Sequence, residues 1–460
     1  MIEQVEQNMR KKGYVNILVS FLLLFSIAGQ VVATEEERDV QSAIIYQILI
    51  DRFNNGDPSN DLEVDLSDPS SYHGGDFKGI TTRLDYIKEM GFTSILLSPI
   101  FNNDQNGYDG YSVENYYEVE EHFGSLDDFK SLVKEAHTRN LKVIIDFVVN
   151  NEQEEMVQAG KWWVSETNVD GYKLTNSTDT SIPFMQEFVS EVKSVKENFI
   201  FIADKGPEIN ELESEVNIIL DSQYYERIAS ILSAPDGNLE NLHTSIEGNN
   251  QDSHVGGYID NHNTLRFTRR ALENEEHPVT RLKLALSYLY LSPGVPIVYY
   301  GTEIALDGGE TPDNRKLMNF RTDDELVNYL NKLSQTRSNV PALTKGSMEL
   351  LHSTEDGMTV YKRTYEDDIA IVAINNSTKS QKVSIPIDTN NANQQLRGLL
   401  NDDMALTEQD NEYTIILDRE SVEVYQLEEK VGVNIPFILI IIIVPLLTFG
   451  FFYLNKRRVK

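Results

Sequence analysis

Apolar positions along the chain follow two rhythms, and the change between them divides it. From residue 44 to about residue 337, short β-branched runs alternate with longer stretches that are apolar every third or fourth position. Residues 42–50, 93–100, 141–149, 169–175, 198–204, 256–262 and 294–301 read as strands. Residues 79–92 and 125–140 read as helices, the first stopping at Gly91 and the second capped by Ser125. In the second helix Leu126, Phe129, Leu132, Val133 and Ala136 share one face. The run at 141–149 is apolar almost throughout, as expected of a strand buried on both sides of a parallel sheet. Such alternation over nearly three hundred residues predicts a (β/α)8 TIM barrel, with a doubly wound open sheet as the structural alternative.

Beyond residue 345 the helical spacing stops. Residues 358–366, 368–376, 381–387, 413–418 and 421–427 are short strands separated by polar turns, which predicts a C-terminal antiparallel β-sandwich. The two ends differ again. Arg10, Lys11 and Lys12 precede an apolar run at 15–28, and Val31 and Ala33 stand where a signal cleavage site needs small residues. Residues 435–453 carry no charge, and at ~1.5 Å per residue a helix of that length reaches roughly 28 Å, close to a bilayer core. Lys456, Arg457, Arg458 and Lys460 follow at once, which predicts a cytoplasmic C-terminus and the bulk of the chain outside. The expected organisation is a signal peptide at 1–33, a barrel at 34–343, the sandwich at 344–428, one transmembrane helix at 433–454 and a cytoplasmic tail at 455–460. The expected location is the cell membrane, spanned once.

Charge and cysteine usage remove whole classes of function. The net charge of −33 repels phosphate backbones, so nucleic acid is not an expected partner. With no cysteine, disulfides, thiolate metal sites and a thiol nucleophile are excluded.

Several long motifs then resemble, in order, the α-amylase family of glycoside hydrolases, with neopullulanases and cyclodextrin glucanotransferases as the nearest type. They are "IIYQILIDRFNNGDPSND", "YHGGDFKGITTRLDYIKEMGFTSILLSPIF", "GYDGYSVENYYEVEEHFGSLDDFKSLVKEAHTRNLKVIIDFVVNN", "GGYIDNHNTLRF", "LSPGVPIVYYGTEI" and "TPDNRKLM". The resemblance implies α-glucan chemistry at the C-terminal ends of the barrel strands, with retention of configuration. Retention needs two carboxyl groups about 5–5.5 Å apart.

Those carboxylates are largely missing. Thr175 stands where the family places its nucleophilic Asp, with no activating base evident in the sequence, and Lys173 replaces an Arg two residues earlier. Asp204 replaces the acid/base Glu, one methylene shorter. Asn263 replaces the third carboxylate, which stabilises the transition state, while His262 beside it is kept. Asn151 and Thr311 depart from the family pattern as well, and Arg315 does not. Of the nearby carboxylates, Asp170 falls at the wrong end of its strand, whereas Asp179 and Glu208 fall in loops at the correct end. The domain that the family inserts after its third strand shrinks to residues 152–169, room for one helix carrying Trp162 and Trp163. The calcium site that this domain helps to build keeps Asn150 but has Asp179 in place of a His ligand.

Other features survive. Tyr111 matches the residue on which the family stacks a sugar, and with His262 and Arg315 it forms the expected substrate-binding set. Asn55, Asp57, Asn60, Asp61, Gly74 and Asp76 surround a turn rich in hard oxygen donors. By resemblance to cyclodextrin-forming enzymes these six hold a structural Ca²⁺. The expectation is a membrane-anchored, catalytically impaired protein that binds α-glucan, maltooligosaccharide or a protein partner. The alternatives are an active α-glucan hydrolase with relocated carboxylates and an envelope scaffold protein.

Overall fold

The computed structural model describes residues 40–104, 107–149, 154–175, 180–206, 215–243, 254–387, 394–401, 406–407, 412–429, 443–446 and 448. Eight parallel strands close into a barrel in the order β1-β10-β9-β8-β7-β6-β5-β2. They are β1 (Ile45–Ile48), β2 (Ser94–Leu97), β5 (Lys142–Val148), β6 (Gly171–Thr175), β7 (Ile200–Asp204), β8 (Ile218–Leu220), β9 (His254–Gly257) and β10 (Val295–Tyr299). A small hairpin, β3 (Phe101–Asn103) with β4 (Val113–Val119), rises from the loop after β2. Closure removes both sheet edges and excludes the doubly wound alternative.

Local chemistry sets the helices between the strands. Ser125 and Asp128 satisfy each other's backbone N–H groups in a capping box at the start of the helix Leu126–Thr138. Asp76 caps the helix Phe77–Glu89 by accepting from the Gly79 N–H at 2.6 Å. That helix stops at Gly91, which has φ +89° and packs so closely on Ser334 that a Cβ would lie 2.3 Å from the Ser334 Cβ. Between β5 and β6 the described residues hold one helix, Glu154–Thr167, with Trp163 buried.

The C-terminal part forms two antiparallel sheets. One has six strands in the order β11 (Ser347–Ser353), β12 (Met358–Tyr365), β13 (Asp368–Asn375), β18 (Ser421–Glu429), β15 (Gln394–Gly398) and β16 (Leu406–Thr407), and the other pairs β14 (Gln381–Pro386) with β17 (Glu412–Leu417). Met358, Ile371, Val383, Ile415 and Tyr425 are among the residues that close a second apolar core between them. Buried arginines fasten these sheets to the barrel. Arg363 on β12 (Met358–Tyr365) donates to the Leu291 carbonyl at 2.7 Å, just before β10. Arg281 donates to the Ala234 carbonyl at 2.7 Å and pairs with Glu420 at 3.2 Å, just before β18 (Ser421–Glu429). Arg337 ties the same region to the Gly294 carbonyl at 2.6 Å. All three grip the N-terminal end of the barrel.

The expected signal peptide lies outside the described residues, as does the apolar run at 435–453 apart from Ile443–Leu446 and Thr448. Among the described residues no helix is long and apolar enough to cross a membrane.

Candidate active site

The polar positions singled out from sequence gather at the C-terminal ends of the strands. Thr175 ends β6, Asp204 ends β7, and Asn261, His262 and Asn263 follow β9. Together with Lys173, Gln47 and Tyr258 they line a pocket of about 70 Å³.

Bonded to two of these lining side chains is a residue that sequence reasoning passed over. Asp146, in the middle of β5, is buried and accepts three hydrogen bonds. The Thr175 hydroxyl donates to Oδ1 at 2.5 Å. The Lys173 ammonium and the Tyr111 hydroxyl donate to Oδ2 at 3.1 and 2.8 Å. Lys173 also donates to Thr175 Oγ1 at 2.5 Å. Thr175 therefore does have a base beside it, contrary to expectation. The signal was present: a carboxylate in an otherwise apolar strand is placed there at a cost in desolvation and needs a reason. Burial alone would lower the Lys173 pKa, yet the charges of Asp146 and Asp204 outweigh it and raise it.

Asp204 is half-buried, and its carboxyl makes no hydrogen bond to another described residue. Burial pushes its carboxyl above the usual range, Lys173 opposes that rise, and Asp146 adds to it. His262 is buried, with its pKa held well below the usual value by burial and by the Lys173 and Arg315 charges, so the imidazole is neutral. Its Nδ1 lies 3.4 Å from Gln47 Nε2.

Tyr111 and Arg315 are occupied by the protein itself. The Tyr111 ring stacks on His262 with centroids 4.9 Å apart, so one of its faces is already covered. Arg315 donates to the His262 carbonyl at 2.9 Å, to Asp109 at 2.7 Å, to the Tyr108 hydroxyl at 3.0 Å and to Asn263 Oδ1 at 3.3 Å. It positions the loop after β9. Asn263 is exposed, and its own N–H bonds to Asn261 Oδ1 at 2.8 Å. Asp260 is buried and caps the helix Phe267–Glu273 by accepting from the Phe267 N–H at 2.9 Å. Asp170, at the opposite end of β6, is engaged by His137 and Lys196, both at 2.8 Å. Asn150, Asn151, Asp179 and Glu208 lie outside the described residues.

Comparison with known proteins fits this layout. Residues 47–159 match the family described as "Alpha amylase, catalytic domain", and residues 346–425 match "Alpha-amylase C-terminal domain". A crystal structure of an Anoxybacillus α-amylase superposes with a TM-score of 0.81 at 44% identity, covering 86% of this chain and 100% of that one. This chain belongs to the α-amylase family. A Geobacillus thermoleovorans α-amylase, solved in complex with acarbose, gives a TM-score of 0.80 at 39% identity over 86% of this chain and all of its own. The Beta/alpha-amylase of Paenibacillus polymyxa is 30% identical over 76% of this chain, which spans only 35% of that longer protein.

Within this α-amylase fold, the six positions expected to hold calcium divide in two. Asn55 Nδ2 donates to Asp61 Oδ1 at 2.8 Å, and a Cβ on Gly74 would lie 2.6 Å from that same oxygen. Asn60 Oδ1 is buried with no partner among the described residues. Of these, Asn60 Oδ1 offers a free oxygen to a cation that takes oxygen ligands, while Asn55 and Asp61 bond each other. The other two are already engaged. Asp57 pairs with Lys78 and Ser59, and Asp76 accepts from the N–H groups of Gly56, Asp57 and Gly79 at 2.9, 2.7 and 2.6 Å. Among the described residues no three acidic or histidine side chains cluster as a metal site.

Proposed function

We propose that this α-amylase family protein binds α-glucan or maltooligosaccharide at the mouth of the barrel and is impaired in the retaining hydrolysis of its family. The observation that carries the proposal is the hydroxyl of Thr175 at the nucleophile position, engaged by Lys173 and Asp146. A glycosyl ester cannot form there, and Asn263 supplies no charge to stabilise a cationic transition state. In the same proposal residues 433–454 tether the chain to the cell membrane with its bulk outside, and a structural Ca²⁺ rests on Asn55, Asn60, Asp61 and Gly74.

The second reading is a working α-glucan hydrolase. The comparisons favour it, since the matching family is described as a catalytic domain and the relatives are enzymes by name. Nothing in the polar lining of the pocket favours a scaffold protein.

The test uses the purified full chain in mild detergent. Calorimetric titration with maltoheptaose should give saturable binding, and Asn263→Trp, which fills the mouth, should abolish it. Incubation with 5-fluoroglucosyl fluoride, which traps retaining glycosidases as covalent adducts, should leave the intact mass unchanged. An adduct would overturn the impaired reading in favour of a retaining hydrolase. Absence of any binding would overturn both.

A further inference from the structure

We propose that Thr175 seats a water molecule and relays its proton to Asp146, so that any glucan bound at the mouth is hydrolysed with inversion of configuration and Asp204 serves as the acid. The inference rests on the reading that an α-glucan occupies the mouth, and it names the chemistry left to a site without a nucleophile.

The hydroxyl of Thr175 has four tetrahedral directions. Cβ takes one, its proton points to Asp146, and Lys173 donates along one lone pair. The remaining lone pair belongs to an oxygen that lines the pocket alongside Asp204. Compared with the Asp that the family carries here, the Thr oxygen is recessed by about one covalent bond, ~1.5 Å. That recess brings it out of bonding range of a sugar carbon and opens space for an interposed water. The pocket, about 70 Å³, is large enough, since a water needs only ~10–15 Å³ of such volume.

The two carboxylates stand on strands that are not neighbours. Inverting glycosidases hold theirs about 6.5–9.5 Å apart, wider than retaining ones, to admit a water. Asp146 and Asp204 sit on β5 and β7, with β6 paired between them. Asp146 is level with Lys173 and Lys173 with Ile202, so Asp204 lies two residues further along, and two strand spacings of ~4.8 Å with two rises of ~3.3 Å separate the backbones by roughly 12 Å, a gap that Thr175 and its water bridge. Of the carboxylates among the described residues, Asp146 is the one whose charge acts on Asp204.

The step balances. The water oxygen forms a bond to the anomeric carbon as the bond from that carbon to the leaving glycosidic oxygen breaks. The water proton passes to Thr175 Oγ1 while the Thr175 proton passes to Asp146. Asp204 gives its proton to the leaving oxygen. Burial, which keeps Asp204 protonated above the usual carboxyl range, suits it to that role. The Lys173 ammonium lies against the oxygen on which negative charge passes. Asp146 never touches substrate and acts only through Thr175.

Attack comes from the face that a family nucleophile would use, so an α-glucan should release a β-anomer. The experiment is proton NMR of maltoheptaose with the full chain at high protein concentration, read before mutarotation. The expected result is early appearance of the β-anomer. Thr175→Ala should lower turnover by about 100-fold or more, the usual contribution of a positioned base, and Thr175→Ser should recover most of it. Asp146→Asn should lose turnover, and added azide, a small anionic nucleophile needing no base, should yield a β-glucosyl azide. An α-anomer appearing first, or unchanged turnover in Thr175→Ala, would overturn the proposal. No turnover at all would also overturn it, while maltoheptaose binding measured on the same sample would still stand or fall separately.

Discussion

Replacing Asp146 by Ala strands a buried ammonium. The Lys173 and Asp146 side chains are 7% and 1% exposed and lie 3.1 Å apart, so water screens neither. Removing one partner of such a pair typically costs about 3–5 kcal/mol, because the remaining charge stays desolvated. The Tyr111 hydroxyl also loses its acceptor, a further ~1 kcal/mol or more, whereas Thr175 can turn toward pocket water. A loss of about 4 kcal/mol is expected, roughly a thousandfold in the folding equilibrium. The double change Asp146→Leu with Lys173→Met removes both charges and should recover most of that loss. The assay is urea unfolding followed by tryptophan fluorescence. Trp162 and Trp163 both sit on the helix that follows β5, and Trp163 packs against Phe101 and Phe129, so the signal reports the barrel. A single-variant loss below about 1 kcal/mol, or a double variant no better than the single, would refute the claim that this pair is a desolvated charge couple.

Asp204 and His262 make opposite predictions against pH. The raised carboxyl pKa of Asp204 means that its contribution is fully present below the ordinary carboxyl range and is lost as pH rises through the raised value. Asp204→Asn should therefore gain thermal stability relative to wild type between pH 4 and pH 8, and equal midpoint differences at both pH values would contradict this. The depressed pKa of His262 gives stability that is present above about pH 6.5 and lost as pH falls toward its folded value. His262→Gln should flatten the acid side of the stability profile, measured by melting at pH 4–7. Finally, EDTA should lower the melting temperature and Ca²⁺ should restore it, with Asn60→Ala abolishing the difference. A melting temperature indifferent to EDTA would remove calcium from the 55–76 turn.

Much of the architecture was legible because barrel strands are buried on both faces and helices on one, which gives two distinct periodicities. The ends of the strands at Thr175 and Asp204 were read to the residue, although each strand begins two residues later than expected. β8 escaped because three residues, Ile218–Leu220, are too few to show a period. β9 was placed too late, over 256–262, because Tyr258 and Ile259 look like strand residues although they are buried in the turn at the mouth. The substituted family positions were legible one at a time. The network joining them was not, since Asp146, Lys173, Thr175 and Tyr111 come from four separate segments and meet only when the barrel closes. The same limit applies to Tyr111: an aromatic at a sugar-stacking position gives no hint in sequence that His262 already covers one face.

The arginines that fasten the C-terminal sheets do so at the end of the barrel remote from the pocket. A tether carried by the C-terminal sheets would therefore load the barrel at its base. With the tether proposed above, the opening would face the medium, where the end of a long, slowly diffusing polymer could reach it without first threading between the protein and a surface.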